Sequence, residues 1–257
     1  MTEFRSGTSS WSEKGWVGPF YPRGTKPADM LAYYATQFDT VECDSTYYGS
    51  GSKRNAAAWR AKTPDGFVMA AKFPQPVVTG TDDRQVDAAN LFIGDNARCV
   101  TDGFLDAMRE LGPRCGPLVV QTPKYAKRDI PTLREFLDKL EPFLDALPRT
   151  FRYALEVRRP DWLTEELTSA LRKRDVAIVL AEFTGMPHPD EWECELVTTD
   201  FTYCRLIGDR YRTEALTETF DKIVIPKAEH TQLLERWKRL LASRSSIREP
   251  AAMLRDG

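Results

Sequence analysis

Short apolar runs recur along the chain, and each carries a polar or charged residue near its end, just before a loop. Seven stand out: EFRSGTS, FDTVECDSTYY, GFVMAAKF, PLVVQTP, FRYALEVRR, VAIVLAEF and YCRLIG. Residues at or near their ends include Asp44, Lys72, Gln121, Glu156, Arg158, Glu182 and Arg205. Strands of a parallel sheet are covered on both faces, so they read as near-continuous apolar runs. The pattern predicts strands near 4–7, 40–44, 67–72, 118–121, 151–157, 176–181 and 202–207. Segments with apolar residues spaced three and four apart lie between them and predict helices. These cover 27–38, 52–62, 96–111, 132–147 and 164–174, with a last helix over about 228–242. Pro27 suits a helix start, and Pro142 is expected to kink the helix that contains it.

Strand and helix in strict alternation imply a parallel α/β fold, here a TIM-type (β/α) barrel. The end of the chain breaks the pattern. After Leu241 only ASRSSIREPAAMLRDG remains, and nothing there reads as a buried strand. The run KIVIP at 222–226 is β-like but too close to the seventh strand for a crossover helix. The expected barrel is therefore incomplete at its eighth strand and helix. Its seam is open, or covered by the tail at 243–257 or by a partner such as a second copy.

Side chains alternate faces along a strand. The apolar set must meet the helices, so the polar set must face the barrel interior. Parity places Glu42 and Asp44 on the inner face of strand two, and Lys72 with Val68 and Ala70 on strand three. Gln121 joins Val119, Glu156 and Arg158 join Ala154, and Arg205 joins Tyr203. Three carboxylates then meet three cations near the C-terminal ends of the strands, where a barrel of this type places its chemistry. One reading is a structural ion-pair plug. The other is a preorganised polar pocket for a charged ligand.

The 257 residues fit one barrel and one domain, 1–257. A net charge of -2 argues against a strongly basic nucleic-acid binder. MTEFRSGTSS has no basic segment leading into an apolar stretch, and no run reaches the ~18 apolar residues of a membrane span. The five cysteines, Cys43, Cys99, Cys115, Cys194 and Cys204, are scattered without a CxxC pair, which suits a reduced, cytoplasmic protein. Cys43 and Cys204 read as small buried hydrophobes. With only His188 and His230, in surface-like settings, a three-histidine zinc site is excluded.

Six stretches carry a family resemblance: GTSSWSEKGWVGPFYP, FDTVECDSTYY, WRAKTPDGFVMAAKFP, VVQTP, ALEVRRPDW and YCRLIG. Together, in this order and over roughly residues 4–208, the chain resembles the domain-of-unknown-function 72 family, the YecE-like proteins. The resemblance implies a TIM-type barrel and a site at the strand ends, but no particular reaction. The chain departs from the family pattern at several points. Asp44 stands where the family usually has Asn, VVTG replaces a stretch that commonly holds His, and Ile207-Gly208 replaces His-Gly. The family's eighth strand with its paired asparagines has no visible counterpart. Those changes remove proton-transfer and hydrogen-bonding groups, so altered or lost activity is one expectation.

Candidate reacting groups are Glu42, Lys72 and Glu156. Glu42 or Glu156 would serve as general base or acid if burial lifts its pKa. A Schiff-base role for Lys72 needs a depressed pKa, which neighbouring carboxylates oppose. Candidate binding groups are Asp44, Gln121, Arg158, Tyr203 and Arg205, with Trp11 and Tyr47 as stacking surfaces. Trp16, Phe20, Tyr21, Tyr48 and Trp162 are further aromatics of the strand-exit loops, and Gly7 is expected to serve close packing. Three cations nearby disfavour a divalent ion on Glu42, Asp44 and Glu156, so no metal and no cofactor are expected. The expected partner is a small phosphate- or carboxylate-bearing molecule. A nucleic-acid-binding barrel using Lys14, Arg23, Lys26, Lys53 and Arg54 is the alternative, and a non-catalytic scaffold is the third.

Overall fold

In a computed structural model, residues 3–49, 51–82, 85–209, 227–243 and 249–254 are described. The strands are β1 (Arg5–Thr8), β2 (Thr40–Cys43), β3 (Val68–Lys72) and β4 (Cys115–Gln121). They continue with β5 (Tyr153–Glu156), β6 (Val176–Phe183), β7 (Phe201–Gly208) and β8 (Glu249–Leu254). All pair in parallel, in the order β1-β8-β7-β6-β5-β4-β3-β2. The helices are α1 (Pro27–Tyr34), α2 (Lys53–Lys62), α3 (Gln75–Thr79) and α4 (Asp95–Arg109). After them come α5 (Leu133–Ala146), α6 (Glu165–Arg172) and α7 (Lys227–Ser243). The fold is an α/β, TIM-type barrel that is incomplete.

Local chemistry sets the helix boundaries. Ser52, Thr132 and Thr164 each stand just before a helix and accept a backbone N–H from its first turn, which satisfies a donor the helix itself cannot. Pro27 opens α1. α5 runs on through Pro142 as one helix.

The core has two layers. Between sheet and helices lie large side chains such as Phe73, Phe104, Phe143 and Tyr153, with the Trp162 ring stacked on Phe136 at 4.4 Å. Burying each contributes ~1.5–3 kcal/mol. Inside the barrel the residues are small: Ala70, Val119, Ala154, Ala177, Val179 and Ala181, with Phe201 and Tyr203. Arg152 covers the Phe201 ring at 5.5 Å. This division follows the period-two alternation.

The eighth strand corrects one sequence expectation. Residues 249–254 form a strand that pairs with both β7 and β1. EPAAML lacks the β-branched and aromatic residues that announce a strand, yet a barrel edge supplies two ladders to hold it. KIVIP lies outside the described residues.

The break in the barrel falls between β1 and β2, which stand at the two ends of the hydrogen-bonded order. Side chains bridge it. The Ser6 N–H donates to Asp39 Oδ1 at 3.0 Å, and the Thr8 N–H donates to the Tyr34 hydroxyl at 2.7 Å. That hydroxyl in turn donates to the Thr40 carbonyl at 3.2 Å. Gly7 is required here, because a Cβ on it would fall 2.0 Å from the Thr40 oxygen. Gly7 serves close packing, as its sequence setting suggested.

Candidate functional site

Inward-facing residues of five strands meet at the C-terminal end of the barrel. Arg205 of β7 is the hub. It donates from one terminal nitrogen to Glu156 Oε2 at 2.5 Å and Gln121 Oε1 at 2.9 Å, and from the other to Glu42 Oε1 at 2.9 Å. The Tyr203 hydroxyl donates to Glu42 Oε2 at 2.6 Å, and Lys72 Nζ lies 3.2 Å from Glu42 Oε1. Lys72 also pairs with Asp44. Arg158 Nε donates to Glu156 Oε1 at 3.0 Å. The reach of Arg205 depends on β6. Its inward residues are Ala177, Val179 and Ala181, and Ala181 lies beside Arg205 in register. A short side chain there lets the guanidinium cross to β5 and β4.

Glu42, Lys72, Glu156, Tyr203 and Arg205 are almost fully buried, and Gln121 nearly so. Buried charges need partners, and the three carboxylates and three cations supply them to one another. Burial alone would raise the Glu156 pKa. The charges of Arg205, Arg158 and Lys72 and the Arg205 hydrogen bond overcome that and hold it at about 2. Glu156 thus stays ionised, and the lifted pKa that a general acid requires is not met there. Burial disfavours the Arg205 cation, but Glu156 and Glu42 outweigh that and raise its pKa. Burial, and then the Glu42 charge, push the Tyr203 phenol well up, so it stays a neutral donor. Lys72 lies within ion-pair distance of two carboxylates, Glu42 and Asp44.

Around this plug is a more open rim. Asp44 opens a 3-10 turn, Asp44–Tyr48. Thr46 pins that turn to β3 by donating to the Lys72 carbonyl at 2.8 Å and accepting the Lys72 N–H at 3.0 Å. Tyr47 is half-buried on the same turn. Burial raises its hydroxyl pKa, Arg158 opposes the rise, and Tyr48, Glu156 and Asp44 add to it. The Arg158 side chain is 31% exposed and covers the Phe183 ring at 5.3 Å.

Not every candidate gathers here. Trp11 packs edge-on against Trp59 of α2, with centroids 5.6 Å apart, and the Tyr21 hydroxyl donates to its carbonyl. Among the described residues no hydrogen bond, ion pair or ring contact joins it to the ion cluster. Glu182 falls on the outer face of β6 and accepts from Trp237 Nε1 of α7 at 2.6 Å. Trp162 belongs to the outer core, under Arg159 at 4.5 Å. His188 is only 5% exposed, against its surface-like sequence setting, because its ring packs on Trp237 and Nδ1 meets Asp190 at 2.8 Å. The His230 side chain lies outside the described residues. Sequence reasoning missed Phe183, Thr46 and Ala181. Phe183 shares the inward parity of Ala181, a usable signal; Thr46 sits in an irregular turn that offers none.

Among the described residues no group of three or more His, Cys, Asp or Glu is placed to hold a metal ion. Among them, too, no helix is long and apolar enough to cross a membrane. Cys43 and Cys204 are buried free thiols.

Residues 5–254 match a protein family described as "Protein of unknown function DUF72". Over 182 residues the chain is 29% identical to the UPF0759 protein YecE of Escherichia coli (strain K12), an overlap of 68% of this chain and 58% of that protein. The chain thus spans about 58% of the length of this curated relative. Two crystal structures share the fold. A DUF72 family protein from Thermotoga maritima superposes with a TM-score of 0.68 at 23% identity, covering 99% of this chain and 92% of that one. One from Enterococcus faecalis V583 gives 0.66 at 18% identity, covering 100% and 92%.

Proposed function

The chain belongs to the DUF72 family, and on that barrel frame we propose that it binds a small phosphate- or carboxylate-bearing molecule at the C-terminal ends of the strands, gripped by Arg158. One observation carries this reading. Arg158 is anchored through Nε alone, and its two terminal nitrogens have no protein partner among the described residues. A guanidinium fixed at one edge presents the other as a planar fork, the shape that matches a carboxylate or phosphate.

The buried network supports that presentation. Glu156 shares its oxygens between Arg205 and Arg158. Arg205 therefore fixes the carboxylate, and the carboxylate fixes Arg158. Phe183 fills the space beneath the guanidinium. In this reading Glu42, Lys72, Gln121, Tyr203 and Arg205 form the frame, whereas Asp44 and Tyr47 border the ligand. The approaching anion adds negative charge to a cluster that is balanced without it, so a free cationic edge is what it requires.

The test is thermal unfolding with inorganic phosphate and a panel of phosphorylated metabolites, on the wild type and Arg158→Ala. A ligand at about a hundred times its Kd adds ~2.7 kcal/mol, which for a chain of this size raises Tm by roughly 5–10 °C. Arg158→Ala should remove most of that rise. Absence of any anion response in the wild type, or an equal response in the variant, overturns the reading.

A further inference from the structure

A cavity of about 370 Å3 lies at the exits of β6 and β7, and none of the ion-cluster residues lines it. Its wall includes Glu182, Phe183, Met186, Pro187 and His188, from the end of β6 and the loop that follows. Glu191 and Arg236 also line it but pair with each other, so their charges are matched within the protein.

Two side chains of this wall carry acceptors that no described protein group meets. His188 is buried, and its Nε2 has no hydrogen-bond partner. Its Nδ1 lies 2.8 Å from Asp190 Oδ1. Arg236 donates to both oxygens of that carboxylate and keeps it ionised. An ionised carboxylate only accepts, so Nδ1 carries the proton of the neutral ring and Nε2 is left as an acceptor. The Asp190 N–H, 3.3 Å from the same nitrogen, is the longer contact. Glu182, half-buried, takes the Trp237 Nε1–H on Oε2 at 2.6 Å. Among the described residues its Oε1 has no partner and its charge no cation. Trp237 holds the two acceptors close together: the indole that reaches Glu182 also packs on the His188 ring, with centroids 4.9 Å apart at 62°. Polar groups buried without partners are costly, and here they share one cavity.

We infer that this cavity binds a small primary amine, whose ammonium donates to Glu182 Oε1 and His188 Nε2 while its alkyl chain lies against Phe183, Met186 and Pro187. The inference goes beyond the anion reading and does not rest on it. An ammonium brings three donors and one positive charge, which answers both open acceptors and the unmatched carboxylate together. A hydroxyl would meet an acceptor but leave the Glu182 charge unmatched. A divalent ion is disfavoured, because no third His, Cys, Asp or Glu among the described residues completes a group around the pair.

The test is titration of n-butylamine, n-butanol and butyltrimethylammonium into the wild type, Glu182→Gln and His188→Asn, followed by the indole N–H resonance of Trp237, which Trp237→Phe assigns. Glu182→Gln keeps an acceptor for Trp237 and removes the charge. His188→Asn keeps a donor for Asp190 and removes Nε2. The amine should shift the Trp237 signal in the wild type and bind about tenfold or more weakly in each variant, the scale of one hydrogen bond to a charged group. Butanol lacks the charge and the trimethylated cation lacks N–H donors, so both should bind about tenfold or more weakly than the amine. Glu182 is half-buried, so Glu182→Gln keeps the fold and decides the matter if His188→Asn does not fold. No response to the amine in the wild type, equal binding of the three compounds, or an amine affinity unchanged in Glu182→Gln overturns the inference.

Discussion

Glu156 loses its water on folding and gains two guanidinium partners in exchange. Its carboxyl titrates at about 2 in the native state against an ordinary 4.5. The native state thus favours the ionised form, and the stability this provides is complete above about pH 4.5. It is lost as pH falls from there toward 2, by on the order of 3 kcal/mol. Glu156→Gln should flatten that part of the stability profile, as read by urea unfolding at intervals from pH 6 to pH 2. An acid limb of the same steepness in the variant would show that the carboxylate is not held as described. The inward orientation of this residue was legible from sequence, since alternation along a strand needs no partner to be known. The depressed pKa was not: it depends on two arginines, one of them 49 residues away on another strand.

Strands carried most of what the sequence revealed, and loops carried most of what it hid. Glu42, Lys72, Gln121, Glu156, Tyr203 and Arg205 meet as parity required. Trp11 and His188 went astray because a loop has no period, and only packing decides where its side chains go. β8 was missed because its ends are fixed by its neighbours' ladders rather than by its own apolar content. The gap between β1 and β2 gives an element-scale test. Tyr34→Phe keeps the ring but deprives the Thr8 N–H of its acceptor and the Thr40 carbonyl of its donor. Buried groups left unpaired cost ~1–3 kcal/mol each, so chemical denaturation should show a loss of about 2–6 kcal/mol for the two. No measurable loss would mean that the hydroxyl does not bridge the seam.

For the whole molecule, the layered interior separates two duties. Small residues fill the lower barrel, while ions close the upper end. A hydrophobic plug of similar volume often stabilises as well as a buried ion pair, so stability alone does not explain the ionic layer. Under the anion-binding proposal, holding Arg158 in place gives it a task. Parallel topology and the location of the charged layer could be read from the spacing of apolar runs. The place of the break could not, because the contacts that close it, from Asp39 and Tyr34 to the backbone of β1, come from outside the strands.

Arg205 ties β7 to β2, β4 and β5 through a single planar group. No one of those strands can swing outward without stripping partners from the guanidinium, so amide hydrogens near Glu42, Gln121, Glu156 and Arg205 should exchange with solvent as one cooperative block. In Arg205→Met two buried carboxylates each lose one of their two cationic partners, keeping Lys72 on Glu42 and Arg158 on Glu156, a penalty of roughly 3–5 kcal/mol, and mass-resolved exchange should show the four segments deprotected together. Independent opening of the Glu42 segment in the wild type would mean that the upper barrel is not joined through this side chain.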